Sequence, residues 1–250
     1  MVQESARSLV PGELRVLVLL DQPLVVEVIR LTLNHGVFVT RAAPSLPEAM
    51  TILAEWQPHI AVVDMELGGH QLLQRIGASG GSSARIPVIG LTRRGDLKTK
   101  LAAFELGVDD IMTMPIAPEE LLARVLVITR RAYDSRVPLR PVLKLGDLEL
   151  DILNRTVRVD GHELHLTSLQ QSLLYLLAAN AGRVVTRDQI LDVLWGTDYV
   201  AESNIVDRHM RNLRISLRDD YRKPRFIATV PGQGYRFIPT FMPDTHASVT

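Results

Sequence analysis

The sequence predicts an α/β chain in two parts. A five-stranded doubly wound parallel sheet comes first, and a smaller domain of short strands, three helices and a hairpin follows. Three observations carry this. Over the first half, apolar strand-like runs alternate with helical patterns five times. Ala132 to Val142 (AYDSRVPLRPV) then holds two prolines and no sustained periodicity, as a linker does. Beyond it the patterns are those of antiparallel strands and short helices, among them the arginine-bearing stretch Asn204 to Arg218.

In the first half, Leu14 to Leu20 (LRVLVLL) is a continuous apolar run of the kind buried on both faces of a parallel sheet. Pro23 to Asn34 has helical spacing through Val25, Val28, Ile29 and Leu33, and Gly36 breaks it. Val37 to Thr40 is a short strand and Leu46 to Trp56 a helix. Ile60 to Val63 is a second buried strand ending at Asp64, and Gln71 to Ile76 is helical ahead of a GASGGSS loop. Pro87 to Leu91 is a third strand, ending at Thr92. Leu97 to Leu106 is a helix closed by Gly107, Ile111 to Thr113 a strand, and Pro118 to Ala132 the last helix. Ligand sites in such sheets form at the carboxyl ends of the strands, which here carry Asp21, Asp64 and Thr92.

Composition narrows the function classes. The chain has 250 residues, 46% of them hydrophobic, and zero formal net charge. Positive charge is local rather than global, with seven cations against three acids between Ile205 and Arg225. There is no cysteine, so disulfides, thiolate metal sites and cysteine nucleophiles are excluded. No apolar run has the length of a membrane span, and the polar start MVQESARSLVPGE lacks a signal-peptide core. A cytoplasmic protein is expected. No paired base and nucleophile and no glycine-rich phosphate loop is present, which argues against an enzyme.

The segments VLVLLDQP, HIAVVDMELGG, IPVIGLTRR, GVDDIMTMPI and PEELLARV resemble, in order and separation, the motifs of response-regulator receiver domains. The resemblance covers about residues 14–132. It implies that Asp64 stands at the phospho-acceptor position, with Asp21 and Thr92 beside it. It also implies two losses. The first acid of the family's magnesium-binding pair is Leu20, and the phosphate-facing lysine is Met114. Magnesium at Asp21 and Asp64 is then expected to be weak or absent. With no cation left opposite Thr92, Asp64 is expected to be phosphorylated poorly. In the winged-helix members of the family, Lys100, Asp110, Glu120 and Arg124 match positions that form intermolecular salt bridges, which implies a homodimer.

In the second half, Leu143 to Asp151, Thr156 to Asp160 and His162 to Leu166 read as antiparallel strands. Thr167 or Ser168 caps a leucine-rich helix through Ala179, and Thr186 caps Arg187 to Trp195. Wound at about 100° per residue, Asn204 to Arg218 places Val206, Met210, Leu213 and Leu217 on one apolar stripe. Arg208, Arg211 and Ile215 fall opposite, flanked by Asn204 and Asn212, while Arg214 and Arg218 lie on one shoulder. Arg225 to Val230 and Gly234 to Ile238 form a hairpin around Pro231, Gly232 and Gln233. A helix-turn-helix with a β-hairpin beside it is a winged helix.

LGDLELD, RTVRVDGHELHLT, GRVVTRDQILDVLWG, NIVDRHMRNLR and TVPGQGYRF resemble the DNA-binding domain of OmpR/PhoB-type response regulators. The resemblance makes the arginine-bearing helix a recognition helix in the major groove of duplex DNA. It implies DNA-facing positions at Arg208, His209, Arg211, Asn212 and Arg214, and backbone or minor-groove positions at Thr229 and the wing residues, Gln233 among them. Asn204 and Arg218 complete the candidate set. His209 could instead pack beside Asp207. Trp195 and Tyr235 read as core aromatics. Pro231 stands where the family often has arginine, so the wing should be stiffer and less positive. Gly196 to Ser203 matches a segment that can touch RNA polymerase.

The expected layout is an N-terminal arm at 1–13, a receiver at 14–132, a linker at 133–142, a winged helix at 143–240 and a tail at 241–250. The expected function is that of a dimeric, sequence-specific DNA-binding regulator independent of phosphorylation. A phosphorylation-switched regulator and a small-molecule-sensing receiver stand as alternatives.

Overall fold

The computed structural model describes residues 14–34, 37–78, 85–133, 142–196, 199 and 204–239. The expected arm and tail, Gly36, most of the linker and most of the loop after Gly196 lie outside these residues. The chain divides into two compact units, Met1–Arg140 and Pro141–Thr250. Among the described residues no helix is long and apolar enough to cross a membrane.

The first unit runs β1 (Leu14–Leu19), α1 (Pro23–Leu33), β2 (Phe38–Ala43), α2 (Leu46–Trp56), β3 (Ile60–Asp64), α3 (His70–Ala78), β4 (Val88–Thr92), α4 (Leu97–Glu105), β5 (Asp110–Thr113) and α5 (Pro118–Tyr133). The strands form one parallel sheet in the order β2-β1-β3-β4-β5. The apolar runs are continuous because both faces are covered: β3 and β4 are buried at every position. Leu17, Leu19, Ala61 and Val63 point into one core layer with Leu72 and Ile76 of α3 and Ala103 of α4. The other face is closed by α1 and α5, which pack on each other and bury Val25, Ile29, Leu121, Val125 and Ile128 among others. Strand order reverses between β1 and β3, so the chain leaves a crevice at the carboxyl ends of these strands.

The second unit opens with an antiparallel meander, β6 (Val142–Leu145), β7 (Leu148–Asp151), β8 (Thr156–Val159) and β9 (His162–Leu164). Then come α6 (Ser168–Ala179), β10 (Val184–Thr186), α7 (Arg187–Trp195), α8 (Ile205–Leu217), β11 (Ile227–Val230) and β12 (Gly234–Phe237). Both expected caps are reciprocal boxes. Thr167 accepts from the Gln170 amide and Thr186 from the Gln189 amide, while each glutamine returns a bond to the cap. Sequence reading missed β10, a three-residue strand that joins the hairpin as β10-β12-β11. Gly234 is what allows it so close. A Cβ there would lie 2.1 Å from the Val185 carbonyl oxygen. The hairpin turn places Pro231 before Gly232, which has φ +71°, and Gln233 N–H donates to the Val230 carbonyl at 3.1 Å.

Candidate receiver pocket and nucleic-acid interface

The crevice of the first unit gathers Asp64, at the end of β3, Thr92, at the end of β4, and the residues that follow each. Asp64 is buried, 1% exposed. Its Oδ1 accepts the Glu66 amide at 2.9 Å, which starts the irregular turn Met65–Gly69. Thr92 Oγ donates to Glu66 Oε1 at 2.7 Å and accepts the Arg94 amide at 3.0 Å. Leu20 is buried, and Met114 follows β5, its amide donating to the Thr92 carbonyl at 2.8 Å. Burial pushes the Asp64 carboxyl above the usual aspartate range, against the lowering effects of the Glu66 amide and of Arg93.

Arg93 corrects the expectation that no cation remains. Its guanidinium stands 3.2 Å from Asp64 Oδ2, 3.8 Å from Glu66 and 3.9 Å from Asp21. The residue directly after Thr92 therefore restores a positive charge that the sequence reading sought only at position 114. Asp21, by contrast, is half exposed. Receivers of the resembling family hold a divalent ion with two acids after the first strand. The residues present here do not fit one. Leu20 offers no oxygen, a guanidinium already stands among the remaining carboxylates, and no three described acidic or histidine side chains are placed to share a metal.

In the second unit α8 spans Ile205–Leu217, with Asn204 at its N-cap and Arg218 left-handed at its C-cap. Ile205, Val206, Met210, Leu213 and Leu217 are buried. Arg208, Arg211, Asn212 and Ile215 form an exposed i, i+3, i+4, i+7 stripe, and Asn204, Arg218, Thr229 and Gln233 are exposed as well. Ile215 is 66% exposed and apolar, a face residue that the candidate set omitted.

Two candidate contacts are differently employed. Arg214 lies across the Tyr235 ring and donates to the Ile227 carbonyl and to Thr229 Oγ, both at 2.9 Å. It ties α8 to the wing, and Thr229 is its partner. His209 packs on Trp195 with ring centroids 5.5 Å apart, not beside Asp207, and burial there holds its pKa below the usual histidine value. Trp195 is a half-buried surface aromatic rather than a core one and stacks on Tyr199. Tyr235 is core, as expected. Its hydroxyl and Arg187 Nε, the latter at 2.8 Å, both donate to Asp207 Oδ1, which locks α7, α8 and β12 together. Asp219, which sequence reading missed, is buried and accepts the amides of Arg225 (2.6 Å), Phe226 (3.4 Å) and Ile227 (2.9 Å).

Residues 161–237 match the C-terminal domain of transcriptional regulatory proteins, and residues 16–126 match the response regulator receiver domain. The transcriptional regulatory protein KdpE of Mycobacterium tuberculosis is 31% identical over 222 residues, 89% of this chain and 98% of its own. The chain belongs to the OmpR/PhoB-type response regulators. It is similar too to the DNA-binding response regulator MtrA of Mycolicibacterium smegmatis, 31% identical over 225 residues, 90% of this chain and 97% of its relative. Among solved structures, the response regulator DrrB of Thermotoga maritima is 28% identical, with coverage of 91% and 100% and a TM-score of 0.43.

On the far edge of the receiver, Arg124 binds Asp110 at 2.6 Å and Glu120 within the same chain. With Lys100, these residues were expected to bridge two chains, and within one chain Arg124 pairs with both Asp110 and Glu120. Beside them α4 exposes three large apolar residues, Leu97 (71%), Leu101 (53%) and Phe104 (45%), along with Lys98 and Glu105, and Val127 of α5 lies along a groove that Phe104, Asp110 and Arg124 also line. Lys100 sits on the same helix, half-buried. The i, i+4, i+7 spacing of the three α4 residues is visible in the sequence. Which side of the helix meets the sheet is not, and only Ala103 is buried there.

Proposed function

We propose that this response regulator is a dimeric, sequence-specific DNA-binding transcription regulator whose DNA binding does not wait on phosphorylation of Asp64. The DNA-binding part rests on the exposed stripe of α8. Arg208 and Arg211 present forked donors suited to guanine edges or phosphate, Asn212 suits adenine, and Ile215 offers an apolar contact for a thymine methyl. Arg214 holds the wing against the helix and acts as a positioning residue.

The phosphorylation part rests on one observation above the others. The Thr92 hydroxyl is already donated to Glu66, while Leu20 and Met114 stand where the resembling family has a carboxylate and a lysine. A genome-wide binding map of a parent strain and an Asp64→Ala strain tests this. The same sites should be occupied in both. Loss of occupancy in Asp64→Ala would put the kinase-dependent switch in its place.

Dimerisation is proposed through the apolar stripe of α4 and the groove beside α5, since exposed apolar patches of this kind mark association surfaces. Phe104→Asp should raise the dimer dissociation constant at least tenfold, in line with about 1.5–3 kcal/mol for burying one such side chain. Reversal of Arg124 should act less, because it first breaks bonds within its own chain. Sedimentation at micromolar protein checks both. A monomeric parent, or a dimer unmoved by Phe104→Asp, would contradict this surface.

A further inference from the structure

Among the described receiver residues three buried side-chain atoms stand without a hydrogen bond, on Arg15, Thr40 and Asp64, and the one on Asp64 lies in the crevice. Asp64 Oδ2 is buried and no donor is aligned on it, although Arg93 approaches to 3.2 Å. The rest of the pocket is ordered around that gap. Asp64 Oδ1 is fixed by the Glu66 amide, and Glu66 is fixed by the Thr92 hydroxyl. Thr92 Oγ in turn caps the Arg94 amide, so the backbone on either side of Arg93 is set by the same cluster. Asp21, Asp64 and Glu66 all lie within 4 Å of one guanidinium that is itself 38% exposed. A planar delocalised cation can face several carboxylates at once and keeps its charge at any physiological pH.

We propose that Arg93 is the resident cation of the Asp64 pocket, neutralising its carboxylates in place of a divalent metal ion and keeping such ions out. A metal entering this pocket would have to displace the guanidinium or sit against its charge. The pocket is then closed by a residue of the chain itself. The proposal rests on the reading that Asp64 is not the switch, and it supplies the physical reason for it.

The test is Mn²⁺ binding by the full chain, followed through the paramagnetic resonance signal of free Mn²⁺. The parent, Arg93→Ala, Arg93→Gln and Arg93→Ala with Asp64→Asn are compared, with the thermal transition of each recorded. The parent should leave Mn²⁺ free at millimolar concentration. Arg93→Ala and Arg93→Gln should both bind it at least tenfold more tightly, and the added Asp64→Asn should abolish the gain. Equal Mn²⁺ affinity in the parent and Arg93→Ala, whether strong or absent, would overturn the proposal. A gain in Arg93→Ala without one in Arg93→Gln would also overturn it, because bulk rather than charge would then be the barrier. Operator affinity of the same parent sample, with and without beryllofluoride and magnesium, separates this failure from that of the functional reading. If the parent binds Mn²⁺ but its operator affinity does not respond to the mimic, only the resident-cation proposal falls.

Discussion

Asp219→Ala should lower the stability of the DNA-binding domain by about 3–5 kcal/mol. Hydrogen bonds to a charged group are worth about 1.5–3 kcal/mol each, and this buried carboxylate receives three backbone amides. Removing it leaves those donors unpaired where α8 turns back into β11, the turn that sets the wing beside α8. The loss is in the largest class seen for single substitutions. Asp219→Asn keeps one acceptor oxygen and should recover part of it. Urea unfolding of the full chain, with the two domain transitions resolved, checks this. A loss under about 1 kcal/mol in the C-terminal transition would show that the turn holds without the carboxylate.

The second large effect is on recognition. Arg211 is exposed on the outer stripe of α8, with no described partner to compete for its guanidinium. Arg211→Ala should weaken binding to the preferred operator by about 1–3 kcal/mol if it reads a base, with specificity relaxed at one position. If it only grips phosphate, the loss should be similar on all sequences and the salt slope should fall by about one. Arg214→Ala should differ from both, since its bonds are to Ile227 and Thr229. It should loosen the wing and reduce domain stability together with affinity. Unchanged operator affinity in Arg211→Ala, measured across a set of single-base operator variants, would remove it from the interface.

The fold was legible because its signals are local. Uninterrupted apolar runs such as Ile60 to Val63, alternating with helical patterns, suit strands of a sheet covered on both faces. The caps Thr167 and Thr186 announce their helices three residues ahead of Gln170 and Gln189. β10 was not legible, because three residues carry no period of their own and become a strand only by pairing with β12. α8 was legible as an apolar stripe with cations opposite. Its division of labour was legible only in part: the helical wheel put Arg211 opposite the apolar stripe and Arg214 on its shoulder, but not the wing groups, Ile227 and Thr229, that Arg214 binds.

The receiver pocket shows the same limit from the other side. Matching positions to a family motif found the losses at Leu20 and Met114 but not the gain at Arg93, which lies within the IPVIGLTRR motif but at no metal- or phosphate-binding position of it, and reaches the carboxylates through its length. Asp219 was missed for a related reason. Its partners are three amides 6–8 residues away, brought round by a turn whose shape is not written in any spacing.

The measurement that bears most directly on the central claim is titration of a labelled operator with parent and Asp64→Ala protein, each with and without beryllofluoride and magnesium. Four equal dissociation constants are expected, because the pocket carries its own cation and its hydroxyl is already engaged. A tenfold gain in affinity, about 1.4 kcal/mol, seen only in the parent with the mimic, would contradict the account and establish Asp64 as a working switch.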